Sequence, residues 1–470
     1  MVLAPRGLMI FFGGYHTGGD SNLYLTVAQN IAQNFCVSLS DPESGACIPH
    51  WGGNQLPGYP LLIATVIRIT SGSIGSVLVV QSILFSLAVI ALVNALRRAG
   101  LPSTAVIIVV IFLGLSPSLV GWSRSLLTET LSVAVAIWLL AELTTSFSQG
   151  QLRVVRVAVI MVVGIFVRYD FALMIVPIAI ASLIIHGWAD ALKRFVIVSL
   201  LCCLPLVGWS ARSVALGLLP TPQIGLSPEG GSLPTGTMKW IGTWLVDQYD
   251  LRNSVWALVN YDYNDFRPPV TAYDNSRERS LIELQIRVLE TQFMFKPVPS
   301  EIDRIFGELA LERIAREPLR HWFMLPALRA WWIWAIPAPS MGWPAEIDTQ
   351  SRESLRNALK ESQFGQVAAL ILEHPKKATM KALVTAHRYG LILGALAIAL
   401  FLVIRARWRN VGILEFFAFL ALGFALIRTI AFSQTILQET RYLTPALAWL
   451  DVAVALYVHS LIWGRNDRVS

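Results

Sequence analysis

Ser76–Leu96 reads SVLVVQSILFSLAVIALVNAL and runs straight into Arg97-Arg98. It contains no Asp, Glu, Lys or Arg. A helix of this length rises by roughly 30 Å, the thickness of a bilayer's hydrocarbon core. The paired arginines behind it mark a cytoplasmic end, because short cytoplasmic loops collect Lys and Arg. Reading outward, Ser103–Val120 crosses back and Ser125–Thr144 returns to Arg153 and Arg156. Between Arg156 and Lys193-Arg194 the chain is apolar except at Arg168-Tyr169-Asp170. Two short helices meeting at an outer apex keep both flanks on one side. Phe195–Arg212, Leu383–Ile404, Val411–Ile427 and Pro445–Trp463 complete about ten spans, with Arg405, Arg407, Arg409, Arg465 and Arg468 inside.

The composition agrees. Of 470 residues, 55% are hydrophobic and 14% charged, against roughly 25% charged in an ordinary soluble chain. Mean hydropathy is +0.58. The expected fold class is all-α integral membrane, a polytopic helical bundle in a bacterial inner membrane. The net charge of +7 is ordinary for such a chain and implies no nucleic-acid partner. With four cysteines and no C-x-x-C, a zinc ribbon or redox centre is not expected. Met1–Gly14 has no convincing signal cleavage site. It is too short to cross alone and reads as a truncated first helix, covering 1–14.

Two segments are too polar to cross. The first outer loop, 15–75, holds two surface helices, Asp20–Phe35 amphipathic and Pro57–Ile69 apolar. Cys36 and Cys47 within it either pair as a disulfide, in an oxidising compartment, or stay as free thiols. The transmembrane module covers 76–212 and the second outer loop 213–382. That loop has Pro/Gly punctuation at Leu219–Pro222, Gly230–Gly236 and Pro337–Pro339, and helices at Ser280–Phe295 and Ile302–Ala315. Pro318–Pro337 is aromatic and interfacial. Its Trp331, Trp332 and Trp334 suit either the interface or a sugar face. C-terminal spans fill 383–463 and a cytoplasmic tail 464–470.

Soluble-enzyme motifs are absent: no P-loop, no H-E-x-x-H, no G-x-S-x-G. What remains is a set of polar residues at the outer ends of several helices. Asp20 opens the first surface helix, where it can cap the helix or act as a base. Glu129 lies near the outer end of a span, where a carboxylate is costly enough to suggest function. Arg168 beside Asp170 forms either a local ion pair or half of an anion site. Arg441, after Glu439 and before Tyr442, either snorkels at the interface or binds an anion. Arginines at outer ends run against the orientation bias; Arg428 is a third. Carboxylates and guanidiniums converging on one surface suit a reaction with a general base and a phosphate leaving group. His16, His50, Asp41 and Glu43 share the first loop, so a divalent metal remains possible, although their spacing is that of ordinary loop residues.

Asp20–Tyr24–Ala28, Leu56-Pro57-Gly58-Tyr59-Pro60, Thr128-Glu129, Val167-Arg168 and Glu439-Thr440-Arg441-Tyr442 together resemble glycosyltransferases of the GT-C superfamily that use polyprenyl-phosphate sugars. The likeness is greatest to the protein-mannosyltransferase and aminoarabinose-transferase branch. It runs over most of 15–212 and 383–463. It departs where Ser21 replaces a frequent second acid and where the lysine of a K-P-P element is missing. The resemblance implies Asp20 as catalytic base, Arg441 and Arg168 on the donor phosphate, and Glu129, Asp170, Glu439, Tyr442, Tyr24 and Tyr59 in support. It implies a polyprenyl-phosphate-linked sugar and an acceptor glycan, lipid or protein as partners, alongside membrane lipids. A transporter or lipid flippase, and an O-antigen-ligase-like transferase using the late loop, are the alternatives. The topology has a direct test: cysteines placed at Ser148 and Ser362 should label from opposite sides, with Ser148 protected from an impermeant reagent. Labelling from the same side refutes the arrangement.

Overall fold

The computed structural model describes residues 2–45, 47, 56–216, 234–247, 250–336, 343, 351, 354–355, 358, 362–405, 411–436 and 439–463. His50, the basic residues 407, 409, 465 and 468, the punctuation at 219–222 and 337–339, and the tail 464–470 lie outside the described residues. The described chain is helical throughout, with no named strand and one isolated bridge between His16 and Ser125.

The helices used below are α1 (Leu3–Gly13), α2 (Ser21–Asn34), α3 (Gly58–Ile69), α4 (Ile74–Arg98), α5 (Ser103–Leu115) and α6 (Pro117–Val120). They continue as α7 (Glu129–Ser148), α8 (Val154–Val167), α9 (Ile175–His186), α10 (Trp188–Ala215), α11 (Thr235–Gly242), α12 (Ala257–Val259), α13 (Ser276–Gln292) and α14 (Ser300–Arg316). Last come α15 (Leu325–Ala335), α16 (Phe364–Glu373), α17 (Pro375–Arg405), α18 (Ile413–Ser433) and α19 (Thr444–Trp463). Among the described residues seven helical stretches are long and apolar enough to cross a membrane, or eight if the pair broken at Ser116 with a 47° bend counts as one. The difference from ten spans lies in α1 and α8, whose 11 and 14 residues are too short to cross a 30 Å core at 1.5 Å per residue.

Helices α7 and α19 form the centre: nearly all of α7 is buried, and Trp449 of α19 donates its indole N–H to Ala136 O of α7 at 3.0 Å. α4 lies along α7, and α5 and α18 flank α19. At the edge, α10 and α17 expose Leu200, Leu204, Leu393, Leu396 and Leu400. Those surfaces are ones that acyl chains can cover and water cannot.

The first-loop helices stand where their apolar spacing put them. Tyr59, Ile63, Ala64 and Val66 of α3 are buried with Tyr24 and Ala28 of α2 and Val77 of α4. The chain ahead of α2 is pinned: His16 N–H donates to Arg124 O (2.9 Å), and Leu126 N–H donates to His16 O (3.2 Å). Arg124 also closes the C-terminus of α1 by donating to the Gly13 and Gly14 carbonyls, satisfying groups a helix end leaves open. Beyond α2, Cys36 and Cys47 form a disulfide, their Cα atoms 5.9 Å apart.

The second loop builds its own core around Trp240, Phe266 and Phe306. Asp303 of α14 caps α11 by accepting from Gly236 N–H and Thr237 N–H at 3.0 and 2.8 Å. Arg313, buried, donates to Glu278 at 2.5 Å, and Glu278 also accepts from the Trp240 indole. The expected interfacial stretch is a π-helical turn, Arg320–Met324, followed by α15. α15 ties the loop to the bundle. Its Arg329 donates to the Leu245 and Gly242 carbonyls (2.9 and 2.6 Å), and its Trp334 donates to Thr429 of α18 at 2.8 Å. Trp334 therefore packs structurally, whereas Trp331 is exposed.

Gly58 opens α3 against the end of α8: a Cβ there would stand 2.6 Å from the Phe166 backbone. Only a bare backbone lets α3 approach so closely, next to Arg168. Gly58→Ala should therefore destabilise the fold by about 1–3 kcal/mol, the usual cost of overpacking. Thermal unfolding in detergent would show it as a lower midpoint, and an unchanged midpoint would refute the close approach.

Candidate functional site

Four carboxylates and three guanidiniums meet at the end of the bundle that carries both large loops. Glu129 is the first residue of α7, where the positive end of the helix dipole favours it. Arg168 and Asp170 occupy the break between α8 and the 3-10 turn Tyr169–Met174. Phe171 folds back over Gly164, where a Cβ would lie 2.2 Å from its ring, so the chain reverses sharply there. Arg428 comes from α18, and Glu439 and Arg441 from the segment entering α19.

Arg168 is fully engaged. Its Nε and Nη2 donate to the two oxygens of Asp170 at 3.1 and 3.0 Å, and its Nη1 donates to Glu129 Oε1 at 3.0 Å and Thr128 Oγ1 at 3.3 Å. Asp170 also accepts from Arg428 Nη2 at 2.6 Å, and Arg428 Nε donates to Tyr442 O at 2.6 Å. Arg428 is completely buried. Removing one member of such a buried set leaves an uncompensated charge, typically worth 3–5 kcal/mol. Every nitrogen of Arg168 is thus bonded within the cluster, and the local ion pair with Asp170 is formed.

Arg441 is held more loosely. It faces Asp20 Oδ2 at 3.5 Å and Glu129 Oε1 at 3.7 Å, and pairs closely with Glu439. Glu129 Oε2 is buried without a hydrogen-bond partner among the described residues. Tyr442 lies between the two cations, 5.5 Å from each guanidinium carbon, and stacks on Phe432 at 4.5 Å. Tyr24 and Tyr59 meet edge to face at 5.1 Å, and Tyr59 accepts from Gln81 at 2.8 Å. Burial, then Asp20, push the Tyr24 phenol up, so it stays a neutral donor.

Asp20 does not cap α2: its side chain makes no capping hydrogen bond. Ser21 secures the turn instead, its Oγ donating to Gly18 O and accepting from Gly18 N–H. The Asp20 side chain is 36% exposed, against 1% for Glu129 and 10% for Arg441. It is the one carboxylate of the cluster that is both open to a visitor and next to a guanidinium. The structure thus brings together Asp20, Glu129, Arg168, Asp170, Glu439, Arg441 and Tyr442, with Tyr24 and Tyr59 packed alongside. Asp41 instead accepts from Glu43 N–H, His16 belongs to the bridge with Ser125, and among the described residues no three His, Cys, Asp or Glu side chains are placed to hold a metal.

A second polar group, deeper in the bundle, was not anticipated. His387 of α17 bonds Asp451 of α19 at 2.8 Å and Ser118 of α6 at 3.0 Å. Arg388 beside it is 3% exposed. A lone carboxylate inside the last apolar stretch was the available signal, since intramembrane charges are expensive.

No family model matches the chain, and no curated protein or solved structure matches it either.

Glu439 gives the site a pH signature. Burial pushes its carboxyl up, and Asp20 and Glu129 add to this while Arg441 opposes it. A carboxyl raised in the fold stabilises most where it stays protonated, and that contribution is lost as pH rises through its folded value. Wild-type stability minus that of Glu439→Gln should therefore fall as pH climbs out of the ordinary carboxylate range toward neutrality. Thermal midpoints of both proteins across that range test it. A rising or flat difference would contradict the sign.

Proposed function

We propose that the chain is a membrane glycosyltransferase that moves a sugar from a polyprenyl phosphate to an acceptor hydroxyl or amine at the outer face, inverting the anomeric centre. The observation that carries this reading is the placement of Asp20: uncapped, open, and 3.5 Å from a guanidinium among buried acids. Asp20 takes the acceptor proton as the acceptor atom bonds to the anomeric carbon. The bond from that carbon to the phosphate oxygen breaks, and its electron pair leaves with the lipid phosphate. Arg441 meets the charge that develops there, the kind of preorganised stabilisation that usually contributes most. Arg168, its fork occupied by Asp170 and Glu129, is assigned a positioning role and not a phosphate contact.

Formal charge also bears on this. Asp20, Glu129, Asp170 and Glu439 outnumber Arg168, Arg428 and Arg441 by one, and the excess acid best placed to take a proton is Glu439. Where Glu439 takes a proton, its pairing with Arg441 weakens, which would free that guanidinium for an incoming phosphate. A flippase reading draws on the buried His387–Asp451 pair. It expects Asp451→Asn to abolish function and Asp20→Asn to be harmless.

The test starts from a strain lacking this gene and the glycan that mass spectrometry finds missing from it. Restoring Asp20→Asn at matched membrane abundance should leave transfer down by roughly 10²–10⁴, the usual share of a general base. Arg441→Lys keeps the charge and loses the fork, and should weaken donor use. Arg441→Ala should be worse, a charged hydrogen bond being worth about 1.5–3 kcal/mol. Wild-type turnover in Asp20→Asn would remove it from the chemistry.

A further inference from the structure

Arg441 has two sides. One faces the carboxylates of Asp20, Glu129 and Glu439. The other opens on a small cleft lined by Ser118, Trp122, Arg388, Thr440 and Thr444. No carboxylate is among the lining residues. Two guanidiniums give this wall a positive character, opposite to the acidic side of the same arginine; of its hydroxyls, that of Thr444 donates to Arg441 O and that of Ser118 is bonded to His387.

Arg388 is the unusual member. It is 3% exposed and lies within no ion pair among the described residues. Its Nη1 donates to Ile333 O at 3.2 Å, its guanidinium carbon lies 5.6 Å over the Trp334 ring, and its Nε is buried without a partner. The carboxylate that acts on it from a distance, Asp451, is bonded to His387. A buried cation with an unmade hydrogen bond is costly. Arg428, as buried, and Arg168, nearly so, each have a carboxylate within 3.0 Å. Of the two guanidiniums that line this cleft, Arg388 is the one with no carboxylate partner among the described residues.

We propose that this cleft is the phosphate subsite and that Arg388 and Arg441 hold the lipid donor's phosphate between them, a diester before transfer and a monoester once the sugar has left, an assignment that rests on the transferase reading above. The cleft now has about 10 Å³ of room, one water's worth. The phosphate therefore enters as Arg441 leaves Glu439 and turns toward Arg388. This divides the labour around Arg441: the acceptor's proton goes to Asp20 on the acidic side, and the leaving group departs on the positive side.

The experiment uses the purified full chain in detergent and three probes: farnesyl phosphate, farnesol and inorganic phosphate. Wild type should bind farnesyl phosphate well above farnesol, with inorganic phosphate competing weakly. Arg388→Met, close in volume and uncharged, should weaken farnesyl phosphate by about tenfold or more and leave farnesol unchanged. Arg388→Lys retains the buried charge and serves if the Met variant does not fold; losing the fork, it should still weaken the phosphate probe about threefold or more. Wild-type affinity in the variant that folds, or farnesol binding wild type as tightly as its phosphate, overturns the subsite. Inorganic phosphate binding as tightly as farnesyl phosphate also overturns it, because the site would then serve a free anion. A chain that binds farnesyl phosphate through Arg388 yet transfers no sugar sinks the transferase reading and keeps the subsite. Asp20-dependent transfer with unchanged binding in Arg388→Met does the reverse.

Discussion

One carboxylate inside the bundle, Asp170, accepts from two buried arginines, and the rest of the site depends on it. It fixes Arg168 in a two-pronged pair, and Arg168 in turn reaches across to Glu129 and Thr128 on α7. It also holds Arg428, whose Nε fixes the Tyr442 carbonyl next to Arg441. Three separate stretches of chain, the α8–α9 break, α18 and the entry to α19, are thereby registered to one another through a single side chain. The cost of burying these charges is offset only because every member finds a partner. Geometry at Arg441 is a consequence of that bargain.

Exposure singles out one member of the charged set. Arg428 and Glu129 are almost wholly buried, Asp170, Arg441 and Arg168 are nearly so, and Asp20 is the open one. Arg441 pairs closely with Glu439 but stands 3.5 Å from Asp20, whereas Arg428 meets Asp170 at 2.6 Å and Arg168 bridges Asp170 and Glu129 at 3.0 Å. The buried arginines are the more heavily cross-linked part of the set. Under the proposed reaction, that cross-linking would hold the orientation of the set while Arg441 turned to an incoming lipid.

Much of this was legible in the residues. Pro57–Ile69 and Asp20–Phe35 matched α3 and α2 to within a residue or two, because apolar spacing and turn residues are local signals. The cluster of charges at one end was legible too, since arginines there ran against the orientation bias. Partner choice was not. Arg168 read equally as an anion site or a local pair, and no local signal showed that Glu129, 39 residues before it, or Arg428, 258 residues after Asp170, would join the same set. The stretch before α7 reads as apolar from Ser125, yet the helix begins at Glu129, because residues 121–126 are committed to backbone bonds with one another and with His16. His387, Arg388 and Asp451 were overlooked because single polar residues in apolar runs do not reveal which face they occupy.

The separation of 258 residues between Asp170 and Arg428 also sets a schedule for biogenesis. At about 5–20 residues per second, the ribosome reaches Arg428 roughly ten to fifty seconds after Asp170 has emerged. During that interval Asp170 lacks Arg428, and its near neighbour Arg168 is the cation within reach. The local pair would then serve as a placeholder until α18 arrives to complete the set.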